Sequence, residues 1–241
     1  MSALARASGV GKTYSSGPSS VTVLDDVSLE IHASQLTLLM GPSGSGKTTL
    51  ISVMAGLMRP TRGEVELCGA SISRMTESAV TKVRRENLGF VFQQYHLFPA
   101  LTALENVSQV LKLKGKSSRD ARARATEVLT RVGLGSRLDH RPAALSGGEK
   151  QRVAVARALC DHPAVVIGDE VTAALDSQSA RSVVELLRGH VGPGRAVLLV
   201  THDHRLEPLA DRIVTMEDGR IVDDRLTSLA LGARAIDRGA A

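Results

Sequence analysis

Aromatic side chains make up only 2% of the sequence, too few for the stacking surface on which single-stranded nucleic acids are held. Only two cysteines are present, Cys68 and Cys160, far apart and in neither a CxxC pair nor a Cys/His cluster. That excludes a disulfide framework and a structural zinc site, and leaves two reduced, buried thiols as the expectation. Long hydrophobic runs are missing too. The longest, such as AVVIG and AVLLV, have the length of strands and fall far short of the ~20 residues that cross a bilayer. The opening MSALARASGV lacks the apolar core of a secretory signal, so a cytosolic location is expected. The net charge is +5, but the basic residues are dispersed, as in SSRDARARATEVLTR, which reads as a solvated helix face. No nucleic-acid partner is expected.

What is present is an ordinary globular composition, 43% hydrophobic and 23% charged over 241 residues, ample for a core. VTVLDDVSLEI and QLTLLM read as strands, the second ending directly at Gly41. KTTLISVMAGLM has helical spacing and stops at the Pro/Gly turn RPTRGE, after which EVELCGASI reads as a strand pair. From TALENV to LTRVGL the chain is rich in good helix formers, with GKSS separating two helices. QRVAVARALC continues as helix and AVVIGDE has the pattern of a buried parallel strand. Strand and helix then alternate through SARSVVELLRGH, RAVLLVTHD, PLADRIVTME and GRIVD, ahead of a weakly amphipathic tail, LTSLALGARAIDRGAA. The expected architecture is an α/β nucleotide-binding core interrupted by a helical insertion.

GPSGSGKT, residues Gly41, Pro42, Ser43, Gly44, Ser45, Gly46, Lys47 and Thr48, fits G-x-x-x-x-G-K-S/T between a predicted strand and a predicted helix. Its glycines allow successive amides to point inward and hold phosphate together with the helix N-terminus. Lys47 is expected to reach the β- and γ-phosphates, and the Thr48 hydroxyl, with Thr49 behind it, to ligate Mg²⁺. Such a loop needs an acid beside it. Asp169, ending AVVIGD on what reads as a central strand beside the loop, would hold the metal through water, and Glu170 would polarise the water that attacks the γ-phosphate. A second candidate phosphate turn is LSGGEKQR, where Ser146, Gly147 and Gly148 precede a helix.

These motifs in this order resemble the ATP-binding subunit of an ATP-binding cassette (ABC) transporter, over about residues 10–224. LSGGEKQRVAVARAL is similar to the family signature, VVIGDEVTAALD to its acid pair and D-loop, GFVFQ to its Q-loop and VTHD to its switch-histidine segment. The resemblance implies an α/β P-loop NTPase (RecA-like) core, residues 1–90 and 163–225, with an antiparallel β subdomain. It further implies an inserted α-helical subdomain with the Q-loop, about 91–162, and a tail, 226–241. It implies ATP and Mg²⁺ as cofactors and two subunits packed head to tail, so that Ser146, Gly147 and Gly148 of one bind the γ-phosphate held by Lys47 of the other. Tyr14 resembles the aromatic that stacks on adenine. Gln93, favoured over its neighbour Gln94, resembles the glutamine that touches Mg²⁺ and the attacking water and links to the membrane partner. His202 resembles the histidine on the γ-phosphate, with His204 a surface polar residue, and Asp176 the aspartate that connects the two sites.

Three positions depart from the family pattern. Val171 stands where proline usually follows the glutamate, Gly168 where a larger residue is commoner, and Glu149 where the signature usually has glutamine. With Lys47, Asp169, Glu170 and His202 present, the site is expected to be active. VRRENLGFVFQQYHLFPALTALENV is similar to bacterial members serving lipoprotein release, macrolide efflux and glycolipid export. That implies a peripheral position on the cytoplasmic face of the inner membrane, with integral permease subunits as partners, often working with a periplasmic adaptor. Residues from Gln93 to about Leu104 would receive the permease, unless Leu97, Phe98 and Leu101 merely pack the helices. A polar-solute importer and a non-transport regulator of a membrane partner remain open alternatives.

Overall fold

Two sheets organise the chain, whose residues 3–17 and 19–230 are described by the computed structural model. The first is antiparallel, in the order β2-β1-β4-β5, from β1 (Ala3–Ser16), β2 (Ser19–His32), β4 (Arg62–Leu67) and β5 (Ala70–Ser71). The second has the order β10-β9-β3-β8-β7-β6. In it β3 (Leu36–Met40), β6 (Leu88–Val91), β7 (Val165–Asp169), β8 (Ala196–Val200) and β9 (Arg212–Glu217) run parallel, and β10 (Arg220–Leu226) closes one edge antiparallel to β9. Every residue of β3 and β8 is buried, which is why LTLLM and AVLLV lack the alternation of a half-exposed strand.

The helices sort into three apolar clusters. α1 (Lys47–Met54) buries Leu50 and Met54 between the two sheets, against Leu24, Ile31, Leu39 and Leu198. On the opposite face of the parallel sheet, α5 (Gly147–Leu159) and α6 (Ser177–Arg188) cover Leu38, Val166 and Leu199 with Val155, Val183 and Leu187. The third cluster joins α3 (Ala103–Leu113), α4 (Ser118–Arg131) and α5 through Leu104, Leu111, Ala125, Leu129 and Val153. α5 thus gives Ala154 and Val155 to one cluster and Val153 and Ala156 to another. A helix buried on opposite sides cannot be amphipathic. Hence the run VAVARA.

Neither β1 nor α2 (Glu77–Asn87) stands out in the sequence. β1 is rich in Ala, Ser and Gly and is held by pairing on both sides, to β2 and β4, rather than by propensity. α2 buries only Val80, and its clearest signal is Thr76, whose side chain accepts from the Ala79 N–H at the N-cap. α1 is shorter than its apolar spacing predicts. Gly56, at φ 66°, and Leu57 donate back to the Val53 and Ser52 carbonyls, a left-handed stop. Cys160 is buried and Cys68 only half-buried, and both are free. Among the described residues no helix is long and apolar enough to cross a membrane. The tail from residue 231 lies outside the described residues.

Candidate active site

The turn between β3 and α1 is fixed by close backbone approaches. A Cβ on Gly41, at φ 136°, would lie 2.0 Å from the Met216 carbonyl oxygen, and one on Gly46, at φ 96°, 2.7 Å from that of Val23. Only glycine fits either position. Ser45 donates its N–H to the Pro42 carbonyl at 3.3 Å and accepts from the Gly219 N–H at 3.1 Å, tying the loop to the β9–β10 hairpin. Lys47, 6% exposed, opens α1 and turns back into this loop. Its Nζ donates to the carbonyls of Gly41 at 2.8 Å and Pro42 at 2.6 Å and to the Ser45 hydroxyl at 3.3 Å. Burial pushes its pKa down, against the opposing pull of the Glu170 and Asp169 carboxylates. Ser43, Gly44, Thr48, Thr49 and Val23 line the hollow around it, and Glu170 forms part of the wall.

The strand that carries the acid pair, β7, is not the immediate neighbour of β3. β8 intervenes between β3 and β7. The segment after β8 brings His202 to Glu170. Thr48 still reaches across, its Oγ1 donating to Asp169 Oδ1 at 3.2 Å. Burial raises the Asp169 pKa and Glu170 adds to the rise, while the Thr48 hydrogen bond and Lys47 oppose it. Glu170 follows at φ 44°, its N–H donating to the Val200 carbonyl at 3.0 Å. Its two carboxylate oxygens have separate partners. Gln93 Nε2 donates to Oε2 at 3.2 Å, and His202 Nδ1 lies 3.5 Å from Oε1. Segments leaving β6, β7 and β8 therefore meet at one carboxylate. Gln94 does not take part; its carbonyl accepts the His96 N–H at 2.6 Å. His204 pairs with Glu207 at 2.6 Å and is 81% exposed.

The oxygen groups gathered here are the Thr48 hydroxyl, the Asp169 carboxylate and, beyond Glu170, the Gln93 side-chain amide, hard oxygens of the type Mg²⁺ prefers. Among the described residues no three His, Cys, Asp or Glu side chains converge on a point. A metal here would take most of its ligands from phosphate and water, which suits Mg²⁺.

The remaining predicted residues lie elsewhere. Tyr14 is 42% exposed on β1, its hydroxyl 3.0 Å from Met58 Sδ and its ring 5.3 Å from Lys12 Nζ. Asp176 caps α6, accepting from the Gln178 and Ser179 N–H groups at 3.0 Å. Ser146 caps α5 in a reciprocal box with Glu149: its Oγ accepts the Glu149 N–H at 3.2 Å, and Glu149 accepts the Ser146 N–H at 2.8 Å. α5 therefore begins at Gly147, earlier than the sequence suggests, with both glycines in its first turn. Gly147 faces the Tyr95 hydroxyl and Gly148 faces Ser179. Neither glycine nor Ser146 lines the hollow beside Lys47.

Two residues that the motifs did not single out tie these parts together. Arg157 of α5 donates to the Tyr95 carbonyl at 2.7 Å and the His96 carbonyl at 2.5 Å, just past Gln93. Arg205 clasps Asp203 through two hydrogen bonds of 2.8 Å and reaches Ser177 at 2.5 Å, joining the segment after His202 to the start of α6. Neither carries a sequence signal beyond its place near a motif.

Residues 24–173 match the family model described as ABC transporter. The lipoprotein-releasing system ATP-binding protein LolD of Chromohalobacter salexigens is 42% identical over 90% of this chain and 92% of its own length. The macrolide export ATP-binding/permease protein MacB 1/2 of Paracoccus denitrificans is 44% identical over 98% of this chain, which spans only 35% of that protein. A solved structure of the ATP-binding cassette MJ0796, a dimer bound to ADP and Pi, superposes with a TM-score of 0.86 at 37% identity, covering 92% of this chain and 98% of that one. With the phosphate loop, the acid pair and these matches in agreement, the chain belongs to the ABC transporter family.

Proposed function

We propose that the chain is the ATP-binding and ATP-hydrolysing subunit of a bacterial ABC transporter that dimerises on ATP to drive a membrane permease. The observation that carries this is the convergence of Gln93 and His202 on the two oxygens of Glu170, in the wall of the hollow that holds Lys47. In this reading the amides of Gly41 to Gly46 and the N-terminus of α1 hold the phosphates. Lys47 exchanges its loop carbonyls for β- and γ-phosphate oxygens. Glu170 accepts a proton from the attacking water, which Gln93 orients, and His202 fixes the carboxylate and faces the γ-phosphate. Mg²⁺, held by Thr48, Gln93 and, through water, Asp169, would neutralise charge developing on the phosphates. Tyr14 is the proposed adenine contact, and Ser146, Gly147, Gly148 and Asp176 the proposed contributions to a partner's site.

Residues 1–90 and 163–225 would act as the nucleotide-binding body and 91–162 as the arm that meets the permease. Phe98, 56% exposed, is the apolar contact that the segment after Gln93 offers, whereas Leu97 packs inward. The names of the relatives, lipoprotein release for LolD and macrolide export for MacB, favour export of a lipid, lipoprotein or hydrophobic compound, and we propose with it a peripheral position on the cytoplasmic face of the inner membrane and a periplasmic adaptor. Glu170→Gln tests the core of the proposal. ATP binding should persist and turnover fall by about 10² or more, with an ATP-bound dimer accumulating on size exclusion. Turnover at the wild-type rate would remove Glu170 as the base.

A further inference from the structure

Gly168 and Val171, which flank the acid pair and depart from the family pattern, are packed against each other. Gly168 lies within β7 in regular register with Val91 on one side and Leu199 on the other. Its φ is not left-handed, so its backbone conformation is open to any residue. What is missing is room. A Cβ at 168 would stand 2.7 Å from Val171 Cγ1 and 2.7 Å from Leu199 Cδ2, both well inside van der Waals contact. Val171 is 4% exposed and belongs to the cluster formed with Val91, Val183 and Leu199. Its isopropyl group, together with the end of the Leu199 side chain, therefore occupies the space that a side chain at 168 would fill.

The turn between these residues carries the acids. Glu170 sits at φ 44°, a region that non-glycine residues seldom enter unless their surroundings hold them there. Two restraints on it are backbone hydrogen bonds: its N–H to the Val200 carbonyl at 3.0 Å and its carbonyl from the Ala173 N–H at 3.1 Å. The third is the anchoring of the very next side chain. We propose that Val171 is a positioning residue whose isopropyl group, seated over Gly168, holds the turn that presents Glu170 to Gln93 and His202. Resting on the assignment of Glu170 as the base, this makes the two departures a single unit, in which a Cβ at 168 and the Cγ1 methyl of residue 171 compete for one place.

A methyl-exchange cycle tests it: Gly168→Ala, Val171→Ala and the double variant, each measured for kcat, KM for ATP and melting temperature. Gly168→Ala should displace Val171 and lower kcat about tenfold or more, with KM within about twofold and little change in melting temperature. Val171→Ala should lower kcat several-fold. In the double variant the new Cβ at 168 fills part of the space vacated by the two lost Val171 methyls, and kcat should recover to within about threefold of wild type, far above the product of the single effects. An additive cycle overturns the proposal, as does a loss of kcat that tracks melting temperature through all three variants. If Gly168→Ala does not fold alone, the comparison of the double variant with Val171→Ala decides. The added methyl should raise kcat, and a further fall overturns the proposal. Glu170→Gln measured alongside separates the two layers. Full turnover there removes the base itself, whereas an inactive Glu170→Gln beside an additive cycle removes only the role of Val171.

Discussion

Asp169 is held against its own solvation. Burial raises its pKa from the ordinary 3.8, and the Thr48 hydroxyl and Lys47 only partly offset that rise. Between 3.8 and the raised folded value the native chain binds more protons than the unfolded one, so stability falls as pH rises through that window. Above it the ionised carboxylate weakens the nucleotide-free fold. Asp169→Asn should therefore raise the melting temperature at neutral pH, by roughly 2–4 °C if the relief is about 1 kcal/mol, while removing Mg²⁺-dependent turnover. Thermal melts at pH 4 and pH 7.5 check the sign, since the gain should shrink at the lower pH; an asparagine variant less stable at both would refute it. The residues of this site were legible where chemistry demands fixed types at short spacing, as in GPSGSGKT and the DE pair. The contacts were not. Thr48 and Asp169 are 121 positions apart and Gln93 and Glu170 77, and one sequence has no term that links such distances.

Fully buried elements announce themselves by composition and partly exposed ones do not, which is why β3, β7 and β8 were legible while β1 and α2 were not. The strand order was hidden for a related reason, because β8 and β7 are equally apolar and nothing local says which lies beside β3. The segment after β6 was similarly opaque. Tyr95 and His96 sit at φ 60° and 45°, two successive left-handed residues without a glycine. Each such residue costs on the order of 1–3 kcal/mol unless held, and here the clamp is Arg157, which takes both carbonyls from the flank of α5. The clamp fixes the chain immediately after Gln93 and ties it to the helix that Ser146 caps. Arg157→Ala should release residues 93–98, so that Gln93 loses its register on Glu170 and kcat falls about tenfold or more. Amide exchange should quicken in that segment and leave the core strands β3 and β8 protected. If exchange is unchanged while activity falls, the arginine acts by another route.

Across the whole molecule, the phosphate hollow and the LSGG turn do not meet within one chain. Gly147 and Gly148 face Tyr95 and Ser179, and none of Ser146, Gly147 and Gly148 lines the hollow beside Lys47. Ser146 Oγ already accepts the Glu149 N–H, which leaves its hydrogen free to donate, and the positive end of α5 lies behind it. A donor set of this kind calls for an anion, and a second copy of the chain could supply one by bringing its bound phosphate. If so, Lys47→Ala and Ser146→Arg damage different halves of a shared site, and subunits carrying one or the other should complement. Each variant alone builds two defective sites in a homodimer. A heterodimer concentrates both defects in one site and leaves the other intact. With the two variants carrying different tags, ATP should pull one down with the other at least about tenfold better than it pairs either with itself. Association is the cleaner readout, because coupling between the sites can suppress hydrolysis in a half-intact dimer. If each chain built its site alone, neither variant could lend the other anything, and the mixture would associate no better than its components.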